Sequence, residues 1–240
     1  MRAIRPRESA HQACEHAIRR AVLDGELSPG DRLPPERTLA TTLGVSRLTL
    51  RAALAALTAQ GILAVRQGSG YVVQDITRTG GGDLLADLAN LASERGDFAS
   101  IAMELLRVRR HLAHAVLEHL VEHPPKAAAI KKFEQAVEAM AKLDGHDVEA
   151  VAAADLEVVT ALLDATASPV LRLCINPVTA VVANSPQLRA AIYAEPSSNV
   201  TGWRAVAAWL RKPARADVAI AMLAARDDAT VERIRRRRPR

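Results

Sequence analysis

The sequence predicts a mainly α-helical protein in two parts. An N-terminal winged helix-turn-helix domain occupies residues 1–76, and an antiparallel helical bundle occupies 83–236. Three observations predict this. The first 75 residues run helix, helix, glycine-containing turn, helix, and then a hairpin with a Gly-rich tip. Gly80-Gly81-Gly82 then interrupts the chain inside an expected flexible linker over 77–82. Beyond it, apolar residues recur at helical spacing to the end of the chain.

The elements follow from local chemistry. Residues 9–24 place Ala13, Ala17, Ile18, Ala21 and Val22 on one face of a helix, which Gly25 and Ser28-Pro29-Gly30 end. Pro34-Pro35 before Glu36 marks a helix start, with Leu39, Ala40 and Leu43 inward. Gly44 breaks that helix. Ser46 then caps the next over 46–60, whose inner residues are Leu50, Ala53, Leu54 and Leu57 and which Gly61 ends. Two β-rich runs, 62–66 and 71–74, flank the turn Gln67-Gly68-Ser69-Gly70. In the second part, helices are expected over 98–123, 126–143, 147–166, 168–183, 200–212 and 215–236. Pro124-Pro125 stops the first of them. Short loops between such helices imply antiparallel packing.

Charge divides along the same boundary. Residues 1–78 carry a balance of +4, residues 79–232 one of −5, and the tail 233–240 adds six arginines. A basic head on an acidic body suits a polyanion-binding domain joined to a second function. With two each of Phe, Tyr and Trp, the chain cannot build a stacking platform for single strands. The nucleic acid it suits is duplex DNA, met through helices and phosphates.

In a helix-turn-helix the second helix reads base edges from its N-terminal half. Here that half is Ser46, Arg47, Leu48, Thr49 and Arg51. Arg47 and Arg51, four apart, share a face, and either can bond guanine bidentately or clamp a phosphate. Arg37 opens the preceding helix, where dipole and guanidinium together suit phosphate. The hairpin tip, Gln67, Gly68, Ser69 and Gly70, is slim enough for a narrow minor groove.

The run Gly30-Asp31-Arg32-Leu33-Pro34-Pro35-Glu36-Arg37, with Leu43-Gly44-Val45-Ser46-Arg47, Leu50-Arg51-Ala52-Ala53-Leu54 and Gly68-Ser69-Gly70-Tyr71-Val72, resembles the GntR family of bacterial transcription regulators. The resemblance implies DNA contacts at Arg37, Arg47, Thr49 and Arg51 and a wing tip at Gln67–Gly70. Leu48 departs from it, standing where the family usually has a small polar residue. The bundle more loosely resembles the FCD effector domain of the fatty-acid-regulator-like branch. Three segments carry that likeness: Glu104–Leu112, Asp155–Leu171 and Trp203–Ala225.

Many such domains bind a divalent metal with one Asp and three His. Here the Asp is Asp155, and the His positions fall on Val159, Trp203 and Ala225, so no metal and no other cofactor is expected. Asp155 lies on an apolar stripe with Val151, Val158, Val159 and Leu162, so it needs a partner. The resemblance makes Arg109 the effector-facing arginine. Two readings stand together: Arg109 and Asp155, with Val159 and Trp203, line an effector pocket, or the two charges form a structural ion pair.

His119 and His123 have a spacing that suits zinc but lack a third ligand. Cys14 and Cys174 are 160 positions apart, too few for a disulfide framework. No catalytic constellation is present, so an enzyme is not expected. Without a signal peptide or an apolar span, the expected compartment is the cytoplasm. The expected partners are a double-stranded DNA operator, a small acidic or acyl-type effector and a second copy of the chain. The rival reading is an architectural or constitutive DNA binder with a dead sensor pocket, its arginine tail adding non-specific affinity.

Overall fold

The computed structural model describes residues 9–213 and 217–236, the side chains at 218, 219, 222, 223, 225 and 226 excepted. It divides into two compact units, Met1–Leu91 and Ala92–Arg240.

The first unit opens with α1 (Ala10–Asp24), whose N-terminus carries a capping box between Ser9 and Gln12 and whose end turns at Gly25, φ 81°. It buries Cys14, Ile18 and Val22. α2 (Glu36–Thr42) is short. Gly44 at φ 66° then turns the chain into α3 (Arg47–Ala59). Along α3 the residues Leu50, Ala53, Leu54 and Leu57 are at most 1% exposed and form the center of the core. β1 (Leu63–Arg66) and β2 (Gly70–Val73) pair antiparallel, with Leu63 opposite Val73 and Arg66 opposite Gly70. Residues 31–33 add a third rung: Leu33 N donates to Tyr71 O and Val73 N to Asp31 O, both at 2.9 Å. This order of elements is the winged helix-turn-helix expected from sequence.

Residues within the expected linker are ordered onto this unit. α4 (Ile76–Thr79) is a single helical turn capped by Asp75, and the Thr79 hydroxyl donates to Gly61 O at 2.7 Å. α5 (Leu84–Arg95) follows. Its Leu84 joins the winged-helix core, and its Asp87 pairs with Arg19 at 2.8 Å.

The second unit is helical throughout its described residues: α6 (Phe98–Glu122), α7 (Ala127–Ala141), α8 (Val148–Thr166), α9 (Pro169–Asn184), α10 (Pro186–Ile192), α11 (Pro196–Leu210) and α12 (Asp217–Arg236). α9, α10 and α11 each start on a proline, where the missing N–H costs nothing. α7 packs on α8 and α11, while α6 packs on α9 and α12. The core between them holds Leu120, Phe133, Val158, Leu188, Tyr193 and Leu210, each at most 2% exposed. α5 and α10 were not among the helices read from sequence.

Candidate functional site

The first surface is the N-terminal turn of α3. Ser46 Oγ accepts from Thr49 N at 3.1 Å and lies 2.8 Å from Thr49 Oγ1, so these two polar side chains fix the helix start. Arg47 and Arg51 are exposed, and Leu48 is 81% exposed. No acidic residue sits in the first turn of α3, so its positive dipole end and its arginines act with one sign. Arg51 comes within 4.0 Å of Glu36 on α2, and Arg37, the next residue of that helix, is exposed. An apolar side chain held in water at the tip of a rigid helix costs solvation, and nothing within this unit covers it.

The wing tip is also open. Gln67, Gly68 and Gly70 are exposed and Ser69 is half-buried. Gly68 and Gly70 have φ of 76° and 74°, the left-handed region that favors glycine. Arg66, exposed at the end of β1, stands directly beside this tip. It was not among the residues singled out from sequence, although a cation next to a Gly-rich turn is a legible signal.

The second site is a cavity of about 210 Å³ within the bundle, between α6, α8, α9 and α11. Arg109, Asp155, Val159 and Trp203 all lie on its wall. The rest is mainly aliphatic, with Trp209 and the Tyr193 side chain added. Asp155 is 7% exposed. Its Oδ2 accepts from the Tyr193 hydroxyl at 2.9 Å and its Oδ1 from Trp203 Nε1 at 2.5 Å.

The ion pair between Arg109 and Asp155, one of the two sequence readings, is replaced by other partners. Arg109 pairs with Asp227 of α12, which is 1% exposed, and Arg110 lies 3.6 Å from the same carboxylate and 3.0 Å from Asp228. Sequence alone did not reach this because Asp227 is 118 positions away. Tyr193, at the end of the unforeseen α10, was missed for the same reason.

The wall does not fit a divalent metal. Both oxygens of Asp155 are engaged by neutral donors, Val159 has no ligating atom, and the indole nitrogen of Trp203 donates rather than coordinates. The Ala225 side chain lies outside the described residues. Among the described residues, no three His, Cys, Asp or Glu side chains gather to hold a metal ion.

The remaining candidates have structural partners. His119 Nε2 faces Thr166 O at 3.1 Å, His123 Nδ1 faces His119 O at 3.3 Å, and the two rings stack at 4.5 Å. Cys14 is buried, which pushes its thiol pKa up, and Cys174 is exposed. Arg233 pairs with Glu195 at 3.0 Å, and residues 237–240 of the arginine tail lie outside the described residues. No described helix is long and apolar enough to cross a membrane.

The comparisons with known proteins follow the same division. Residues 11–73 match the model of bacterial regulatory proteins, gntR family, and residues 104–228, over half of the chain, match the FCD domain. The HTH-type transcriptional regulator Mce2R of Mycobacterium tuberculosis is 46% identical over 82 residues, 34% of this chain and 34% of its own length. The fatty acid metabolism regulator protein of Yersinia pestis is 30% identical over 162 residues, 68% of this chain and 64% of its own. The chain thus spans less than two thirds of the length of either relative. A solved structure described as "Lar controls the expression of the Listeria monocytogenes agr system and mediates virulence" shares the fold, with a TM-score of 0.59 at 16% identity over 97% of this chain and 100% of that one. The families and these relatives are regulators rather than enzymes. The chain belongs to the gntR family of bacterial regulatory proteins, and its second unit is an FCD domain.

Proposed function

We propose that this protein is a cytoplasmic, homodimeric repressor of transcription that reads a palindromic operator with its winged helix and releases it when a small molecule fills the bundle cavity. The observation that carries the reading is the N-terminal turn of α3. Arg47, Leu48 and Arg51 project from a helix whose opposite face, Leu50, Ala53, Leu54 and Leu57, is fully buried. That anchoring holds the three side chains for direct readout of a major groove. Arg37, and the wing tip at Gln67–Gly70 with Arg66, supply phosphate and minor-groove contacts. Ser46 and Thr49 serve by positioning the turn.

Effector control is supported by the cavity. An apolar cavity of this size favors a working sensor over the architectural alternative with its dead pocket. The effector is largely apolar, as befits an acyl-type compound. An acidic head is less well served, because the Arg109 charge is already paired with Asp227 through one guanidinium nitrogen.

The test is a gel shift on a duplex selected from a random library by the wild-type chain. Arg47→Ala with Arg51→Ala should abolish the shift while the far-ultraviolet circular dichroism stays unchanged. Unaltered operator binding by the double variant would overturn the assignment.

A further inference from the structure

The charges around the cavity specify more than its apolar lining does. Arg109 is the cation among the described wall residues, and it is paired with Asp227, with Arg110 and Asp228 beside them. Among the described residues, Asp155 has no such counterion. Its partners are the neutral Tyr193 hydroxyl and Trp203 indole, and a carboxylate has lone pairs for about two acceptor bonds more. Among the described wall residues this leaves the Asp155 charge without a cation to offset it. A carboxylate ligand entering here would meet that charge at low dielectric, without the metal that could bridge the two anions. A hydroxyl would instead find a buried acceptor.

Resting on the effector-cavity reading above, we infer that this site selects an uncharged, apolar small molecule carrying one hydrogen-bond donor, an aliphatic or aromatic alcohol, and rejects carboxylates. In such a complex the ligand's hydroxyl donates to Asp155 beside Trp203, and its hydrocarbon body lies along Val159 and the aliphatic wall. The volume agrees. A cavity of about 210 Å³ exceeds the roughly 150 Å³ that admits benzene. It therefore holds a substituted ring or a medium-length chain.

The test compares 1-octanol with octanoate on the full-length protein at pH 7.5. The two share a chain length and differ in charge. The chain's two tryptophans, Trp203 and Trp209, are both on the cavity wall, so intrinsic fluorescence reads the site directly. Isothermal calorimetry checks the same affinities. Octanol is expected to bind at least tenfold more tightly than octanoate. Asp155→Asn should narrow that ratio by improving octanoate binding, and Val159→Trp, which fills the cavity, should abolish octanol binding. The wild-type comparison stands alone if either variant fails to fold. Equal or tighter binding of octanoate overturns the inference while leaving the effector cavity in place. If neither compound binds up to its solubility limit, the effector-cavity reading falls with it.

Discussion

Leu48 separates folding from recognition most clearly. At 81% exposure it contributes almost nothing to the core, so Leu48→Thr should leave stability within about 0.5 kcal/mol. In the proposed operator complex its isobutyl group would pack on a thymine methyl. Replacing contacted thymines by deoxyuridine, which removes only that methyl, should weaken wild-type binding by about 0.8 kcal/mol, roughly fourfold, and leave Leu48→Ser, whose side chain has no methyl to pack there, unaffected. An equal response of both proteins would remove Leu48 from the interface. Asp155 makes the opposite case. Its burial on an apolar stripe was legible from helical spacing and required a partner, but the partners are Tyr193 and Trp203, 38 and 48 positions away. Local sequence states that a buried carboxylate must be satisfied; only tertiary packing decides by what.

Capping and turn chemistry made most elements readable. Ser46 before Arg47 and Pro35 before Glu36 each mark a helix start that the structure places within a residue or two. α10 escaped because its seven residues are too few to establish a period, and α5 because it follows directly on glycines that read as a linker. α4 is held by a contact from outside its own segment, the Thr79 hydroxyl on Gly61 O. That contact makes Gly61 sensitive. It sits at φ 73°, and an added Cβ would lie 2.2 Å from Thr79 O. Gly44, at φ 66°, has open space around its Cα. Gly44→Ala should cost about 1–2 kcal/mol from the left-handed backbone alone, and Gly61→Ala more, through displacement of α4. Thermal unfolding of the two variants tests the order; equal losses would show that the Thr79 contact adds nothing.

The bundle's helices are also tied by charge. Asp164 on α8 takes Lys132 of α7 at 2.6 Å and Arg172 of α9. The Lys132 hydrogen bond and the two positive charges hold its carboxyl below the ordinary 3.8. A carboxyl depressed on folding stabilizes the native state fully above its unfolded value and loses that contribution as pH falls through the folded one. The stability difference between wild type and Asp164→Asn should therefore be complete at pH 7 and close as pH drops below 3.8. Both carboxylate partners are surface groups, so added salt should shrink the difference as well. A gap that persists unchanged at pH 2.5 would contradict this electrostatic origin.

At the scale of the molecule, the division into a basic head and an acidic body was written in the charge balance, +4 over residues 1–78 against −5 over 79–232. The glycine run suggested where one part ends, and the compact units meet farther on, between Leu91 and Ala92. What composition left open was the sensor chemistry, because the relevant charges are paired across helices distant in sequence. In the proposed function, an operator-reading turn in one unit is coupled to a charge-selective apolar cavity in the other. Native mass spectrometry of the full chain on a selected duplex, with and without saturating 1-octanol, tests that union most directly. Two chains per duplex are expected, with no divalent metal, and at least a tenfold loss of the complex when the alcohol is bound. A single chain per duplex, or a complex indifferent to an alcohol that demonstrably occupies the cavity, would contradict it.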